Sequence, residues 1–126
     1  MPFNFNIEDK KEYLVFKLDG VRSRRTNAEV AEAIRETCTK HNCNRVLVDA
    51  LALESRLGVL DAHAGPTTDF PRDVASKQIK VAVVDRKEFE SGFRFFETVA
   101  RNAGYFLRVF FDREAAVTWL LSEETY

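Results

Sequence analysis

The sequence is poor in cysteine, in net charge and in long apolar runs, and each shortage excludes a class of protein. Two cysteines among 126 residues are too few for a disulfide framework, so we expect reduced thiols. The 19 basic and 20 acidic residues nearly cancel, which argues against nucleic acid as a partner. No apolar run approaches the roughly 20 residues of a transmembrane helix, and no signal-peptide pattern follows Met1. We therefore expect one cytoplasmic domain over residues 1–126, with no integral membrane segment.

Glycine is also scarce, and this bears on phosphate binding. The five glycines are scattered along the chain, and none belongs to a Gly-rich phosphate loop. The basic run Arg22-Ser23-Arg24-Arg25 precedes a predicted helix and offers guanidinium groups to an anion. Short charged runs usually face solvent, however, so the sequence leaves a solvated loop and an anion site both open here.

Three short apolar segments predict the strands of a parallel sheet. Ile79 to Val84 is almost uninterrupted by polar residues, which is typical of a strand buried on both faces. Arg45 to Asp49 and Leu107 to Asp112 are similar, and a candidate helix follows each. The alternating segments Pro2 to Ile7 and Tyr13 to Leu18 predict an antiparallel hairpin. The pattern indicates an α/β fold with a mixed sheet of four to five strands, an N-terminal antiparallel hairpin and about four helices packed on it.

Helix positions follow from capping signals and apolar periodicity. Thr26-Asn27-Ala28-Glu29 has the spacing of a capping box, which predicts a helix that begins there. We expect further helices after the serine cap Ser55, after Asp85 and after the last strand. Gly65-Pro66 predicts a break, followed by a turn of helix within Thr67 to Val74. The inward residues predicted for the first, third and fourth helices are Val30, Ile34, Cys38, Phe89, Phe93, Phe96, Ala100, Ala116, Trp119 and Leu120.

Three segments of the C-terminal half, Ile79 to Val84, Phe96 to Gly104 and Arg108 to Leu120, resemble the small bacterial STAS proteins (SpoIIAA-like, anti-sigma-factor antagonist-like). The resemblance implies a SpoIIAA-like sheet and a role in protein or small-ligand binding rather than catalysis. In regulatory members, a phosphorylatable serine lies in the loop after the third strand. Ser55 lies near the matching position with Arg56 beside it, although the usual Asp-Ser-Ser/Thr-Gly core is absent. A phosphate-like regulatory site at these two residues and a simple helix cap at Ser55 are both open interpretations.

Asp49, Asp85 and Asp112 end the three predicted parallel strands, and this arrangement raises the question of an enzyme. Carboxylates at one edge of a parallel sheet are able to hold Mg²⁺. Aspartate is also a common helix cap, and the Asp-x-Asp pair or lysine that usually completes a phosphotransfer site is absent. We interpret the three aspartates as structural and expect no catalytic residue, no metal and no cofactor.

Cys38, His41 and Cys43 form the one cluster of soft metal ligands in the sequence. A structural zinc site needs four ligands, and the only other histidine is His63. No activating motif surrounds either thiol, so we interpret both cysteines as packed side chains.

Phe95 departs from the apolar stripe of the third predicted helix. At 100° per residue it lies beside Thr98 and Asn102 rather than with Phe93 and Phe96, which indicates a contact surface. The sequence therefore predicts a non-catalytic regulatory or protein-binding module whose partner is another protein or a second copy in a homodimer. The alternative is a carrier of a small hydrophobic ligand or lipid, in which the segment from Leu60 to Ala75 covers a pocket lined by aromatic residues.

Overall fold

A five-stranded mixed sheet organises the molecule, and its strands lie side by side in the order of the chain. The computed structural model describes residues 3–71 and 78–123. β1 and β2 are antiparallel, whereas β2, β3, β4 and β5 are parallel neighbours. The predicted mixed sheet with an N-terminal antiparallel hairpin is confirmed. The strands are β1 (Asn4–Asp9), β2 (Leu14–Gly20), β3 (Arg45–Leu53), β4 (Lys80–Val84) and β5 (Phe106–Phe110).

Four α-helices in the described residues cover the two faces of the sheet. They are α1 (Arg24–His41), α2 (Val59–Ala64), α3 (Glu90–Asn102) and α4 (Arg113–Leu121). From β2 to β5, each parallel strand is followed in the chain by its neighbour on the same side in the sheet. Because the connections between parallel strands are right-handed, the helices in these connections, α1, α2 and α3, all lie on one face of the sheet. We call this the front face. α4 follows the last strand and packs on the opposite, back face. Within the described ranges, no helix combines the length and the apolar character needed to span a bilayer.

Each face has its own apolar core. On the front face, Phe16, Val48 and Val83 pack in one cluster with the inward residues of α1 and α3. On the back face, Trp119 and Leu120 of α4 pack in a smaller cluster with β-strand residues. Ala116, Trp119 and Leu120 are all buried, as their spacing predicts, and so are Val30, Ile34 and Cys38 of α1.

α1 begins earlier than its sequence predicts. Its N-cap is Ser23, whose Oγ accepts a hydrogen bond from the Thr26 backbone N at 3.2 Å, while Thr26 Oγ1 accepts one from the Ser23 N at 2.8 Å. The predicted box from Thr26 to Glu29 was therefore wrong. Arg24 and Arg25 are good helix formers, so the earlier hydroxyl takes the cap. Glu29 instead pairs with Arg25 on the helix surface at 3.2 Å.

The segment after β3 also differs from its prediction. β3 continues past Asp49 to Leu53, because Ala52 and Leu53 pair with the end of β2. The next helix, α2, begins at Val59 with Gly58 as its N-cap, so the predicted cap at Ser55 was wrong.

The predicted break at Gly65-Pro66 is absent, because a π-helical turn over Gly65–Asp69 continues α2 without interruption. This turn also accounts for the first part of the helical turn predicted within Thr67 to Val74. The remainder of that prediction, at positions 72–74, lies outside the described residues.

Candidate functional site

A buried ion pair joins the end of β4 to the loop that precedes α2. Asp85 is fully buried, and its two carboxylate oxygens accept hydrogen bonds from Arg56 Nε at 2.7 Å and Nη2 at 2.6 Å. The Arg86 backbone N donates to the same carboxylate at 2.7 Å. Asp85 is therefore structural, but it holds an arginine instead of capping a helix. The 3₁₀ turn Lys87–Phe89, which leads into α3, has Arg86 in the capping position.

The remaining N–H groups of Arg56 are directed at backbone carbonyls. Nη1 donates to the Leu53 and Ser55 oxygens at 2.8 and 3.1 Å, and Nη2 donates to the Ala50 oxygen at 3.3 Å. Together with the two bonds to Asp85, these contacts account for the five donors of a guanidinium. The planar group also stacks on the ring of Phe89, with 4.0 Å between its central carbon and the ring centroid. Arg56 thus contributes positive charge to its surroundings but has no N–H left for a ligand.

Arg22 lies in a different electrostatic situation. Its Nη2 donates to Asn27 Oδ1, yet its Nε is buried and makes no hydrogen bond within the described part of the chain. Among the same residues, no carboxylate lies within ion-pair distance of it. Burial, the largest cause, and the positive charge of Arg56 together lower the pKa of Arg22 to about 10, although the Asp85 carboxylate opposes both effects. Arg22 is thus a charged group at neutral pH that is poorly compensated.

Asn27 shares this shortage of partners. The residue is 2% exposed, and its Nδ2 makes no hydrogen bond to any described residue. A buried donor left unpaired costs about 1–3 kcal/mol. Two such donors, on Arg22 and on Asn27, therefore lie next to each other at a measurable cost to stability.

Arg22 and Arg56 border a cleft between α2 and α3 with a volume of about 250 Å³. Leu57, Phe93 and Phe96 supply apolar walls. A second, smaller space of about 60 Å³ lies on the inner side, and Arg22 borders both spaces. We call the outer space the arginine cleft. Besides its aromatic residues, the arginine cleft is lined by two arginines, which the sequence did not place there.

Ser55 and Arg56, the predicted regulatory pair, both lie near Arg22. The Ser55 Oγ accepts a hydrogen bond from the Arg22 backbone N at 3.1 Å, and the residue is half-buried. Ser55 therefore holds the chain at Arg22 in place. The sequence suggested an anion site in the basic run at residues 22–25 but did not distinguish Arg22 from its neighbours. Arg24 is directed away to Asp69, with a hydrogen bond of 2.7 Å.

The three aspartates do not converge on one site. Asp49 lies within β3 on the back face, where its carboxylate accepts from Arg113 Nη1 and from the Leu51 backbone N, both at 3.0 Å. Val84 of β4 pairs with Asp49, so their side chains point to the same, back side. Asp85 is the next residue, and because successive side chains along a strand alternate between the two faces, it lies on the front face. Asp112 caps α4 and accepts from the Glu114 N at 3.2 Å. Each carboxylate thus has a separate structural role.

The side chains of Cys38, His41 and Cys43 make separate contacts. Cys38 is buried in the front core, and Cys43 is partly buried with its Sγ 3.6 Å from the Arg45 oxygen. His41 Nδ1 lies 3.3 Å from an Asp9 carboxylate oxygen. No group of three His, Cys, Asp or Glu side chains within residues 3–71 and 78–123 is arranged to hold a metal ion.

Two large apolar side chains are exposed on the helices that border the arginine cleft. Leu60 on α2 is 86% exposed and Phe95 on α3 is 37% exposed. Ser91 and Gly92 line the cleft, and Phe95 lies one turn further along the same side of α3. The exposure of Phe95 agrees with its predicted position off the apolar stripe.

Comparisons with known proteins identify the fold. No family model matches the sequence, and no curated protein matches it either. An anti-sigma factor antagonist from Mycobacterium paratuberculosis is similar in structure, with a TM-score of 0.63 and 15% identity over 96% of both chains. An uncharacterised protein from Shewanella loihica with a SpoIIAA-like fold has a TM-score of 0.54 and 17% identity, over 94% of this chain and 93% of that one. The chain therefore has a SpoIIAA-like fold, as its sequence resemblance implied.

Proposed function

We propose that this chain, with its SpoIIAA-like fold, is a non-catalytic cytoplasmic module that regulates by binding a protein. The observation that carries the proposal is the likeness to an anti-sigma factor antagonist over 96% of both chains. That neighbour is, by its name, a protein that acts on another protein. The comparisons do not favour the alternative of a hydrophobic-ligand or lipid carrier, and two arginines in the cleft are a poor lining for a purely apolar cargo.

The chemistry at the carboxyl ends of the strands supports a non-catalytic role. This edge is where α/β enzymes usually place their reactive groups. Here Asp85 and Arg56 are engaged with each other and with the backbone, so neither is available to transfer a proton. Asp49 and Asp112 are likewise engaged in an ion pair and a helix cap.

The surface proposed for the partner is the exposed side of α2 and α3. Leu60 and Phe95 are exposed on these two helices, and a bound partner would remove both apolar side chains from water. A second copy of the chain is the simplest partner, because two-fold homodimers are the commonest assemblies. The proposal thus covers both a homodimer and a complex with another protein.

Replacing Phe95 with a photo-reactive phenylalanine analogue tests this surface. We expect irradiation in cells to give one discrete covalent adduct, whose mass identifies either a second copy or another protein. The matched control carries the same analogue at Thr118, which is exposed on α4 at the back of the sheet. For a homodimer, Phe95→Lys should also shift the purified protein to monomer in analytical ultracentrifugation, and Thr118→Lys should not. Equal labelling from both positions, or none from position 95, contradicts the proposed surface.

Ser55 is proposed as a regulatory position of the same module. A phosphate on its Oγ would replace the hydrogen bond from the Arg22 backbone N and place negative charge near Arg56, whose Nη1 lies 3.1 Å from the Ser55 carbonyl oxygen. Phosphopeptide mapping of protein recovered from cells should find the modified residue in the parent and not in Ser55→Ala. Its absence across growth conditions contradicts this role.

A further inference from the structure

We propose that the arginine cleft binds a small monocarboxylate with an apolar body, and that Arg22 holds the carboxylate. This site goes beyond the proposed function, since it does not depend on the existence of a protein partner. Three observations carry it: uncompensated positive charge, unpaired buried donors and apolar walls around a cavity of defined size.

The charges that meet at the cleft do not balance. Arg22 and Arg56 contribute two positive charges, and Asp85 contributes one negative charge that is bound to Arg56 through both oxygens. Glu88 also lines the cleft, but it lies 3.5 Å from Arg86 in an ion pair of its own. Among residues 3–71 and 78–123, one positive charge, on Arg22, therefore remains uncompensated at the cleft. A monoanion neutralises it, whereas a doubly charged phosphate would bring excess negative charge near Asp85.

The donors around Arg22 suit a carboxylate. Arg22 Nε is buried without a partner among the described residues, while Nη2 is held by Asn27. A ligand carboxylate would therefore accept one charge-assisted hydrogen bond, from Nε, of the kind that Asp85 accepts from Arg56 Nε in this same molecule. Asn27 is a positioning residue, because its Oδ1 fixes the plane of the guanidinium. The pKa of Arg22, lowered to about 10, still leaves the group charged at neutral pH.

The walls of the cleft define the rest of the ligand. Leu57, Phe93 and Phe96 offer apolar contacts beside Arg22. The volume of about 250 Å³ lies just below the roughly 300–1,000 Å³ of pockets that hold drug-sized ligands. The ligand class is therefore a carboxylate that carries one ring or a short acyl chain.

Phenylacetate and its neutral isostere phenylacetamide are the probes that test this site. We expect phenylacetate to raise the melting temperature of the parent in proportion to the logarithm of its concentration, and phenylacetamide to raise it little. In ¹⁵N-resolved NMR spectra, the Nε–H signal of Arg22 should shift on addition of phenylacetate. Equal effects of acid and amide, or a static Nε–H signal, would overturn the assignment of the carboxylate to Arg22. Inorganic phosphate that competes with phenylacetate and binds more tightly would overturn the ligand class.

Two arginine variants separate the cleft from non-specific anion binding. Arg22→Met should weaken phenylacetate binding by about tenfold or more in calorimetry, because a charge-assisted hydrogen bond is lost. Arg24→Met is the matched control, since Arg24 is exposed and bonded to Asp69, and its affinity should match that of the parent. Arg22→Lys keeps the charge but removes the Nε donor, so it should also bind phenylacetate weakly. It provides the test if Arg22→Met fails to fold. Unchanged affinity in either Arg22 variant refutes the site.

Discussion

At the scale of the residue, Asp85 and Arg56 show how a buried charge is made tolerable. They are 29 positions apart in the chain, and Asp85 is fully buried. Three donors meet its carboxylate, two from Arg56 and one from the backbone of Arg86. Removing either charge leaves the other in the interior without compensation, which costs more than the intact pair contributes.

Asp85→Asn should therefore lower the free energy of unfolding by about 3–5 kcal/mol, measured by urea denaturation at neutral pH. Asp112→Asn is the matched control. Asp112 is an exposed helix cap, and asparagine caps as well as aspartate, so we expect a change near zero. A loss for Asp85→Asn no larger than for this control would show that the buried pair is not required for stability.

Asp69 gives a pH dependence whose sign follows from its partner. The hydrogen bond and charge of Arg24 hold the pKa of Asp69 below its ordinary value. A carboxylate with a lowered pKa in the folded state stabilises the fold above its ordinary pKa, and this contribution is lost as the pH falls towards the lowered value. Asp69→Asn should thus melt slightly below the parent at pH 7, and the two melting curves should converge below about pH 4. A constant difference from pH 7 to pH 3 would exclude this linkage.

At the scale of the element, α4 depends on a few contacts with the back face. Trp119 is 6% exposed and its ring lies edge-on to Phe106, with 5.5 Å between centroids. Lys80, buried in β4, donates from Nζ to the Trp119 and Ser122 carbonyls at 2.8 and 2.9 Å. A cation at the carboxyl end of a helix is favourable, and Lys80 Nζ also lies 4.5 Å from the centroid of the Trp119 ring, so one lysine stabilises both the ring and the helix end.

Trp119→Ala should lower the free energy of unfolding by about 3–5 kcal/mol, because a large buried ring leaves a cavity. The adjacent exposed residue provides the control, and Thr118→Ala should change the same quantity by less than about 0.5 kcal/mol. Both values come from chemical denaturation monitored by circular dichroism. If the free energy of unfolding of Trp119→Ala equalled that of the parent, Trp119 would not contribute to the core.

Periodic elements were predictable from the sequence, and the ends of elements were less so. The stripe on α4 follows from neighbours in the chain, so its pattern alone predicted Trp119 as buried. The predicted start of α1 was wrong because Ser23 forms its capping box with Thr26, whereas the sequence pattern requires Glu or Gln at that third position. The end of β3 was wrong because Asp49 is polar yet buried, and its partner Arg113 comes from a distant part of the chain.

At the scale of the whole molecule, the fold was predictable but the cleft was not. The alternation of strands and helices, with the C-terminal motifs, predicted the SpoIIAA-like sheet that the structure confirms. The arginine cleft instead depends on Arg22, Arg56 and Asp85, which come from three separate segments. The sequence singled out Ser55 and Arg56 by resemblance. It gave no reason to expect that Asp85 and backbone carbonyls would use every N–H of Arg56, or that Arg22 would have no carboxylate partner among the described residues.

The agreement between strand order in the sheet and strand order in the chain bears on how the protein is made. A chain emerging from the ribosome is able to add each strand to the edge left by the previous one, and no strand has to be inserted between two that are already paired. The back face is completed last, since its helix follows the final strand. Until that helix leaves the exit tunnel, the nascent sheet carries an uncovered apolar side, which is the kind of surface that is prone to aggregate.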